Sequence, residues 1–271
     1  MSDVKATIFR YDPSVDAEPY YAEYSVPWHE NMSVLELLRY VHDNIEPVSF
    51  DYNCRAGSCG LCGMKVNGAP VLACIAPVED GSEITIEPLD RFPVVRDLII
   101  DRGVVKDRIM ETDPQFQRST PMVNPRAMDP TSYLRTGVLQ QCRECMLCMS
   151  VCPAIDQFGF NNYAGPLIMT KLASRYFDDR EDQQDKRLMT AVREGLFNCL
   201  ECGMCTSVCP KGSMMHVDGY DYSSIDHVSY FKMMKEDARA KGWEPVEEEL
   251  VRPVPADGLV LQQQSGITGA K

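Results

Sequence analysis

Twelve cysteines fall into three groups of four, and a chain that carries them must fold around whatever they hold. The first group is Cys54-x4-Cys59-x2-Cys62 with Cys74 downstream, the spacing of plant-type [2Fe–2S] loops. The other two are Cys142-x2-Cys145-x2-Cys148-x3-Cys152-Pro153 and Cys199-x2-Cys202-x2-Cys205-x3-Cys209-Pro210, two copies of the bacterial ferredoxin run. In such a run three cysteines wrap one cluster and the fourth ligates the other. The spacing therefore assigns Cys54, Cys59, Cys62 and Cys74 to one [2Fe–2S] centre. Cys142, Cys145, Cys148 and Cys209 go to a [4Fe–4S] centre, and Cys152, Cys199, Cys202 and Cys205 to a third cluster. Iron is the expected metal throughout, and no cysteine is left over.

Two other fates for the thiols compete. Disulfides suit an oxidising compartment, whereas CxxC pairs at this density belong to redox or metal loops. Zinc accepts four cysteines, but it does not explain a fourth cysteine followed by proline twice over. In the first loop Gly57, Gly60 and Gly63 allow a tight turn and close backbone approach to sulfur, and Arg55 adds positive charge. His42 reads as an ordinary helix residue, Met146, Met149, Met204, Met214 and Met215 as apolar packing, and His216 and Lys211 as candidates for the neighbourhood of the terminal cluster. No nucleotide-binding glycine loop, nucleophile with a base or paired acid site is visible, so no catalytic residue is assigned. The chemistry expected is electron transfer.

The formal charge of −13 argues against a nucleic-acid surface, which needs a basic patch. The first eleven residues carry Asp3, Lys5 and Arg10 and no apolar core, so no secretory signal is read there. No stretch has the roughly 18 apolar residues of a membrane span. Any membrane role is therefore expected to come through partners, and the absence of a targeting segment favours the cytoplasmic face.

The expected fold class is α+β: an N-terminal β-grasp plant-type ferredoxin domain, residues 1–105, then an α-helical two-cluster domain, residues 106–245. Residues 246–271 read as a disordered or partner-bound tail. Val4, Ala6 and Ile8 alternate as a strand, and Tyr20, Ala22, Tyr24 and Val26 repeat the pattern. Ser33-x-x-Glu36 is a capping box before a helix with Val34, Leu37, Leu38, Val41 and Ile45 on one face, ended by Pro47. Asn67-Gly68 marks a hairpin turn between strands at 64–66 and 71–73, and 84–87 reads as another strand. Residues 92–129 read as a crossing region. Helices are expected from Thr131 onward, around Leu167–Tyr176 by period, through Leu188, Val192, Gly195 and Leu196, and around Ile225, Val228, Phe231 and Lys232.

The order of the cysteine groups resembles the iron–sulfur subunit of the succinate dehydrogenase/fumarate reductase family. Further segments are similar: Phe9-Arg10-Tyr11-Asp12-Pro13, Pro88-Leu89-Asp90-Arg91-Phe92-Pro93, Arg96-Asp97-Leu98, Gly165-Pro166, Ser174-Arg175 and Cys209-Pro210-Lys211-Gly212. The likeness covers residues 4 to 212. It implies an electron-transfer subunit of an oxidoreductase, with an FAD-containing flavoprotein at the [2Fe–2S] end. At the third cluster it implies a membrane anchor with quinone or quinol.

Two departures matter. The family's third cluster is usually [3Fe–4S], with an aliphatic residue where Cys202 stands here. Four thiolates favour [4Fe–4S]; a three-iron cluster with Cys202 unused is the alternative. The tryptophans and histidine of the family's quinone pocket are also missing, since the only tryptophans are Trp28 and Trp243. That opens a second reading, the same subunit serving a cysteine-rich, heterodisulfide-reductase-like partner or a flavoprotein for another unsaturated acid. A free-standing soluble carrier is a third.

Overall fold

The computed structural model describes residues 3–120, 130–211, 216–217, 220–221 and 226–245. Along the chain run β1 (Asp3–Arg10), β2 (Tyr20–Pro27), α1 (Val34–Asn44), β3 (Gly63–Val66), β4 (Ala69–Leu72), β5 (Glu83–Glu87), β6 (Val94–Arg96) and β7 (Ile99–Ile100). Then come α2 (Gly103–Glu111), α3 (Pro130–Gln140), α4 (Leu147–Ser150), α5 (Pro153–Phe158), α6 (Pro166–Tyr176), α7 (Gln184–Arg193), α8 (Met204–Ser207), β8 (His216–Val217), β9 (Tyr220–Asp221) and α9 (His227–Ala240). The fold is the α+β arrangement expected: a sheet domain, then a helical ferredoxin region. Two compact units divide it. One holds the described residues up to Arg102 together with Arg143–Val151; the other holds Gly103–Cys142 and the described residues from Cys152 onward.

In the first unit five strands lie in the order β2-β1-β5-β3-β4, with β1–β2 antiparallel and β1–β5 parallel. Val4, Ala6 and Ile8 of β1 are buried, as alternation requires when one face of a sheet meets the core. The capping box at Ser33 is complete: the Ser33 hydroxyl accepts from the Glu36 N–H, and the Glu36 carboxylate accepts from the Ser33 N–H. Val34, Leu37, Leu38 and Val41 are buried along α1. Ile45 is not with them. It caps the helix and is 49% exposed, because the helix ends at Asn44, before the proline. Asn67 and Gly68 both have positive φ, the type I′ geometry whose twist suits a two-residue hairpin between β3 and β4.

The residues read as a plain crossing contain more structure than expected. Val94–Arg96 and Ile99–Ile100 pair as a small ribbon, and Gly103–Glu111 is a helix that buries Val104, Val105 and Ile109. Asp97 between the strands is buried and accepts N–H bonds from Tyr11 and Ser49 and the Nε–H of Arg10. Arg10 also donates to Pro47 O and pairs with Glu46.

In the second unit α6 is the hub, packed by α2, α3, α7 and α9. That explains why Leu167, Ile168, Met169, Leu172 and Ala173 are all buried rather than one face alone. Arg187 is fully buried and pairs with Glu181 at 2.6 Å. It also donates to the carbonyls of Asp113 and Gln115, which fixes the turn after α2. The helix expected through Leu196 ends at Arg193. Gly195 adopts a left-handed conformation (φ 86°), and a Cβ there would stand 1.9 Å from the Asn162 carbonyl oxygen. A single 3-10 turn, Leu196–Asn198, then delivers the chain to Cys199. Ile225, Met214, Met215, the 246–271 tail and the His216 side chain lie outside the described residues.

Candidate iron–sulfur centres

The first cysteine group lies on the loop between α1 and β3, with Cys74 just past β4. Cys54 is exposed, Cys59 and Cys74 are half-buried and Cys62 is buried. Backbone amides point at the sulfurs. The N–H groups of Ala56, Ser58 and Cys59 donate to Cys54 Sγ at 3.4, 3.2 and 3.2 Å, and that of Gly57 donates to Cys74 Sγ at 3.2 Å. Positive φ at Arg55, Gly57 and Gly60 turns successive N–H groups inward, the concave arrangement that suits an anion. The amide of Ala56 first, with Cys59 and Ser58, pulls the Cys54 thiol down to about 7. Burial pushes Cys62 up to about 12. Four sulfurs cradled by amides, with no carboxylate in the set, fit a sulfur-bound iron centre whose metal charge deprotonates the thiols. Arg55 lies over the Tyr52 ring at 5.7 Å and is exposed.

The two bacterial runs share a backbone. Glu144 and Glu201, each just before the second cysteine, have φ of 54° and 56°. Met146 and Gly203, each just after it, have φ of 69° and 80°. The repeat is thus one of dihedral angles as well as spacing, with a short helix starting at the next residue in each copy.

Cys152, Cys199, Cys202 and Cys205 are all in the second unit and act on one another electrostatically. Burial pushes Cys152 up to about 11, with Cys199 and Cys202 adding to it. Burial likewise pushes Cys205 up to about 12, with Cys199, Cys152 and Cys202 contributing. Cys152 caps α5 ahead of Pro153; Cys205 sits in α8; Cys202 is exposed, flanked by exposed Leu200 and Met204. From α9 the buried Lys235 donates to Cys199 O and Glu201, both at 2.8 Å, and so clamps the run. Cys145 and Cys148 belong to the first unit, Cys142 and Cys209 to the second, and their common assignment rests on spacing. None of the twelve cysteines is in a disulfide. Among the described residues no group of three or more His, Cys, Asp or Glu side chains forms a single metal-ion site.

Two residues at these centres carry no sequence signal. Tyr163, fully buried, hydrogen-bonds to the Cys199 sulfur, and burial raises its hydroxyl well above the usual phenol range. Arg102 donates to carbonyls of the first loop. Arg102 follows Asp101 and Tyr163 follows Asn161-Asn162, both outside every cysteine spacing, so neither motif nor period singles them out.

Residues 5–107 match a 2Fe–2S iron–sulfur cluster binding domain, and residues 138–213 match a 4Fe–4S dicluster domain. The fumarate reductase (CoM/CoB) of Methanothermobacter marburgensis has a subunit that is 37% identical over 77% of this chain. The chain spans 41% of that relative's length. The fumarate reductase iron–sulfur subunit of Escherichia coli O157:H7 is 34% identical, over 80% of this chain and 89% of that protein. A chain of the Mycobacterium smegmatis Sdh1 complex has the same fold, with a TM-score of 0.74 at 24% identity, covering 90% of this chain and 99% of that one.

Proposed function

This chain belongs to the family of fumarate reductase and succinate dehydrogenase iron–sulfur subunits, and from that premise we propose that it relays electrons between a flavoprotein subunit and a membrane quinone or quinol partner. It is the electron-transfer component of an oxidoreductase and binds 2Fe–2S and 4Fe–4S clusters. Such clusters, when bound, supply one-electron carriers. The chain's own residues supply the thiols, the amides that favour negative charge on sulfur, and the burial that sets how strongly that charge is felt.

The observation that carries the reading is the amide cradle at Cys54 and Cys74 together with the mutual influence of Cys152, Cys199, Cys202 and Cys205. The ligand sets proposed are Cys54, Cys59, Cys62 and Cys74 for [2Fe–2S], and Cys142, Cys145, Cys148 and Cys209 for [4Fe–4S]. The remaining four hold the third cluster. The four-cysteine spacing favours four-thiolate [4Fe–4S] ligation over [3Fe–4S], and Cys202 is near enough to Cys152 and Cys205 to act on both electrostatically. Among the described residues no helix is long and apolar enough to cross a membrane. Attachment at the cytoplasmic face through anchor subunits is proposed.

A second reading has its own support, the 37% identity to a subunit whose name pairs fumarate reduction with CoM/CoB. Under it the distal partner is cysteine-rich and the electrons come from thiols instead of quinol. One purification separates the two. A tagged chain drawn out in mild detergent with a flavoprotein and helical membrane anchors supports the quinone relay, provided that quinol reduces fumarate through the complex. Recovery with a cysteine-rich partner, and reduction by thiols but not by quinol, selects the second. Recovery as a lone monomer sinks both and leaves a soluble carrier.

A further inference from the structure

Arg102 is 9% exposed at the end of the first unit's main segment. Its Nη2 donates to Leu61 O at 2.6 Å and its Nη1 to Gly60 O at 3.4 Å. Both carbonyls lie between Cys59 and Cys62, on the loop that carries the first cysteine group. Its Nε is buried and makes no hydrogen bond. Two peptide carbonyls do not neutralise a guanidinium, and burial is the largest influence on this one, drawing its pKa down from the usual arginine range. Removing a charge from water is costly unless an opposite charge stands close.

The opposite charges are identifiable. Asp51, half-buried, acts on Arg102 most strongly, followed by the sulfurs of Cys145, Cys62 and Cys59. The loop itself is pressed close at this point. A Cβ on Gly60 would stand 2.8 Å from Arg143 O and 2.9 Å from Cys145 Cβ, so the first loop and the start of the first bacterial run touch. A guanidinium here is within electrostatic reach of sulfurs from two cysteine groups at once. A [2Fe–2S] centre with four thiolates is a dianion when oxidised and a trianion when reduced, and a nearby fixed cation stabilises the second state more than the first. Arg55, the cation that the sequence marks, is exposed over Tyr52, where water and salt screen it. Arg102 is shielded from both.

We propose that Arg102 is a built-in cation that holds up the reduction potential of the [2Fe–2S] centre, a tuning residue that acts by its charge and is held in place by the loop carbonyls of Gly60 and Leu61. The proposal rests on the reading of Cys54, Cys59, Cys62 and Cys74 as the ligands of that centre. The electron enters the cluster, no bond to Arg102 forms or breaks, and the arginine stays protonated in both states.

The test is a redox titration of the full chain with its clusters loaded, following the [2Fe–2S] signal by electron paramagnetic resonance. Arg102→Gln removes the charge and keeps two hydrogen-bond donors; Arg102→Lys keeps the charge. At the wild-type midpoint, Arg102→Gln is expected to cut the ratio of reduced to oxidised cluster about tenfold, which is about 59 mV for one electron. Arg102→Lys is expected to keep most of the wild-type ratio. The shift in Arg102→Gln should persist at high ionic strength, because the lost charge is internal. An unmoved midpoint in Arg102→Gln overturns the proposal, as does an equal fall in both variants, which would make bond geometry rather than charge the cause. Loss of the [2Fe–2S] signal in Arg102→Gln also overturns it, since the arginine would then hold the loop together instead of tuning it. Absence of that signal from the wild-type chain is a different failure: it removes the ligand reading itself.

Discussion

Cys202 is the residue on which the third cluster turns. It is exposed, it acts electrostatically on Cys152 and Cys205, and it is the thiol that the proposed four-thiolate ligation requires. Cys202→Ala should convert a four-iron centre into a three-iron one, which is paramagnetic when oxidised and visible as such in resonance spectra. An unchanged spectrum would mean that the wild-type cluster never used this thiol. Tyr163 tests the same centre from the other side. Its hydroxyl hydrogen-bonds to the Cys199 sulfur, and the more negative the sulfur the stronger that bond. Tyr163→Phe should therefore lower the third cluster's potential by the equivalent of about 1 kcal/mol, with iron content unchanged. A midpoint that stays in place would show that the hydroxyl does nothing for the electron. The cysteines are legible at this scale because ligand spacing is a property of the chain itself. Tyr163 is not, because a hydroxyl thirty-six residues from Cys199 meets it only through the fold.

At the scale of elements, legibility follows periodicity and fails where one residue overrides it. The hub α6 is readable from its apolar positions after Gly165-Pro166. Periodicity makes the next helix too long, since Leu188, Val192 and Leu196 continue the spacing while Gly195, left-handed against Asn162, stops the helix first. The helix Gly103–Glu111 escapes a sequence reading because its one short apolar stripe lies inside a stretch punctuated by proline. The last helix, α9, carries a titration of its own. His227 at its start is 2% exposed; its Nδ1 hydrogen-bonds to Thr170 at 2.8 Å, and its Nε2 is buried without a partner. Thr170 already donates to Pro166 O, so His227 donates to it from Nδ1. Burial lowers its pKa to about 4. The unfolded chain therefore takes up the proton first as pH falls, and stability is full above the unfolded value and declines below it. The expected loss is about 2 kcal/mol between pH 7 and pH 5 and about 3 kcal/mol once pH is below the folded value. Urea unfolding of the loaded chain at the two pH values measures it, and His227→Phe should flatten the difference. An equal difference in the variant would assign the acid sensitivity to other groups.

For the whole molecule, the net charge of −13 is the property that neither spacing nor packing explains. Each cluster that the chain binds adds further negative charge, and each electron it accepts adds one more. A field of that sign works against reduction wherever water reaches the centre, and both Cys54 and Cys202 are exposed. Mobile cations weaken such a field: the screening length falls from about 30 Å at 0.01 M salt to about 3 Å at 1 M. Raising ionic strength should therefore raise the midpoints of the first and third clusters, because the reduced forms carry the larger charge and gain more from the counter-ions. The contribution assigned to Arg102 should not move with salt, since its charge is internal. Redox titrations of wild type and Arg102→Gln at two salt concentrations separate the two effects in one experiment: the curves should shift upward together and keep their spacing. Midpoints that fall with salt would mean that local cations such as Arg55, and not the summed acidic surface, dominate the potential at the exposed clusters.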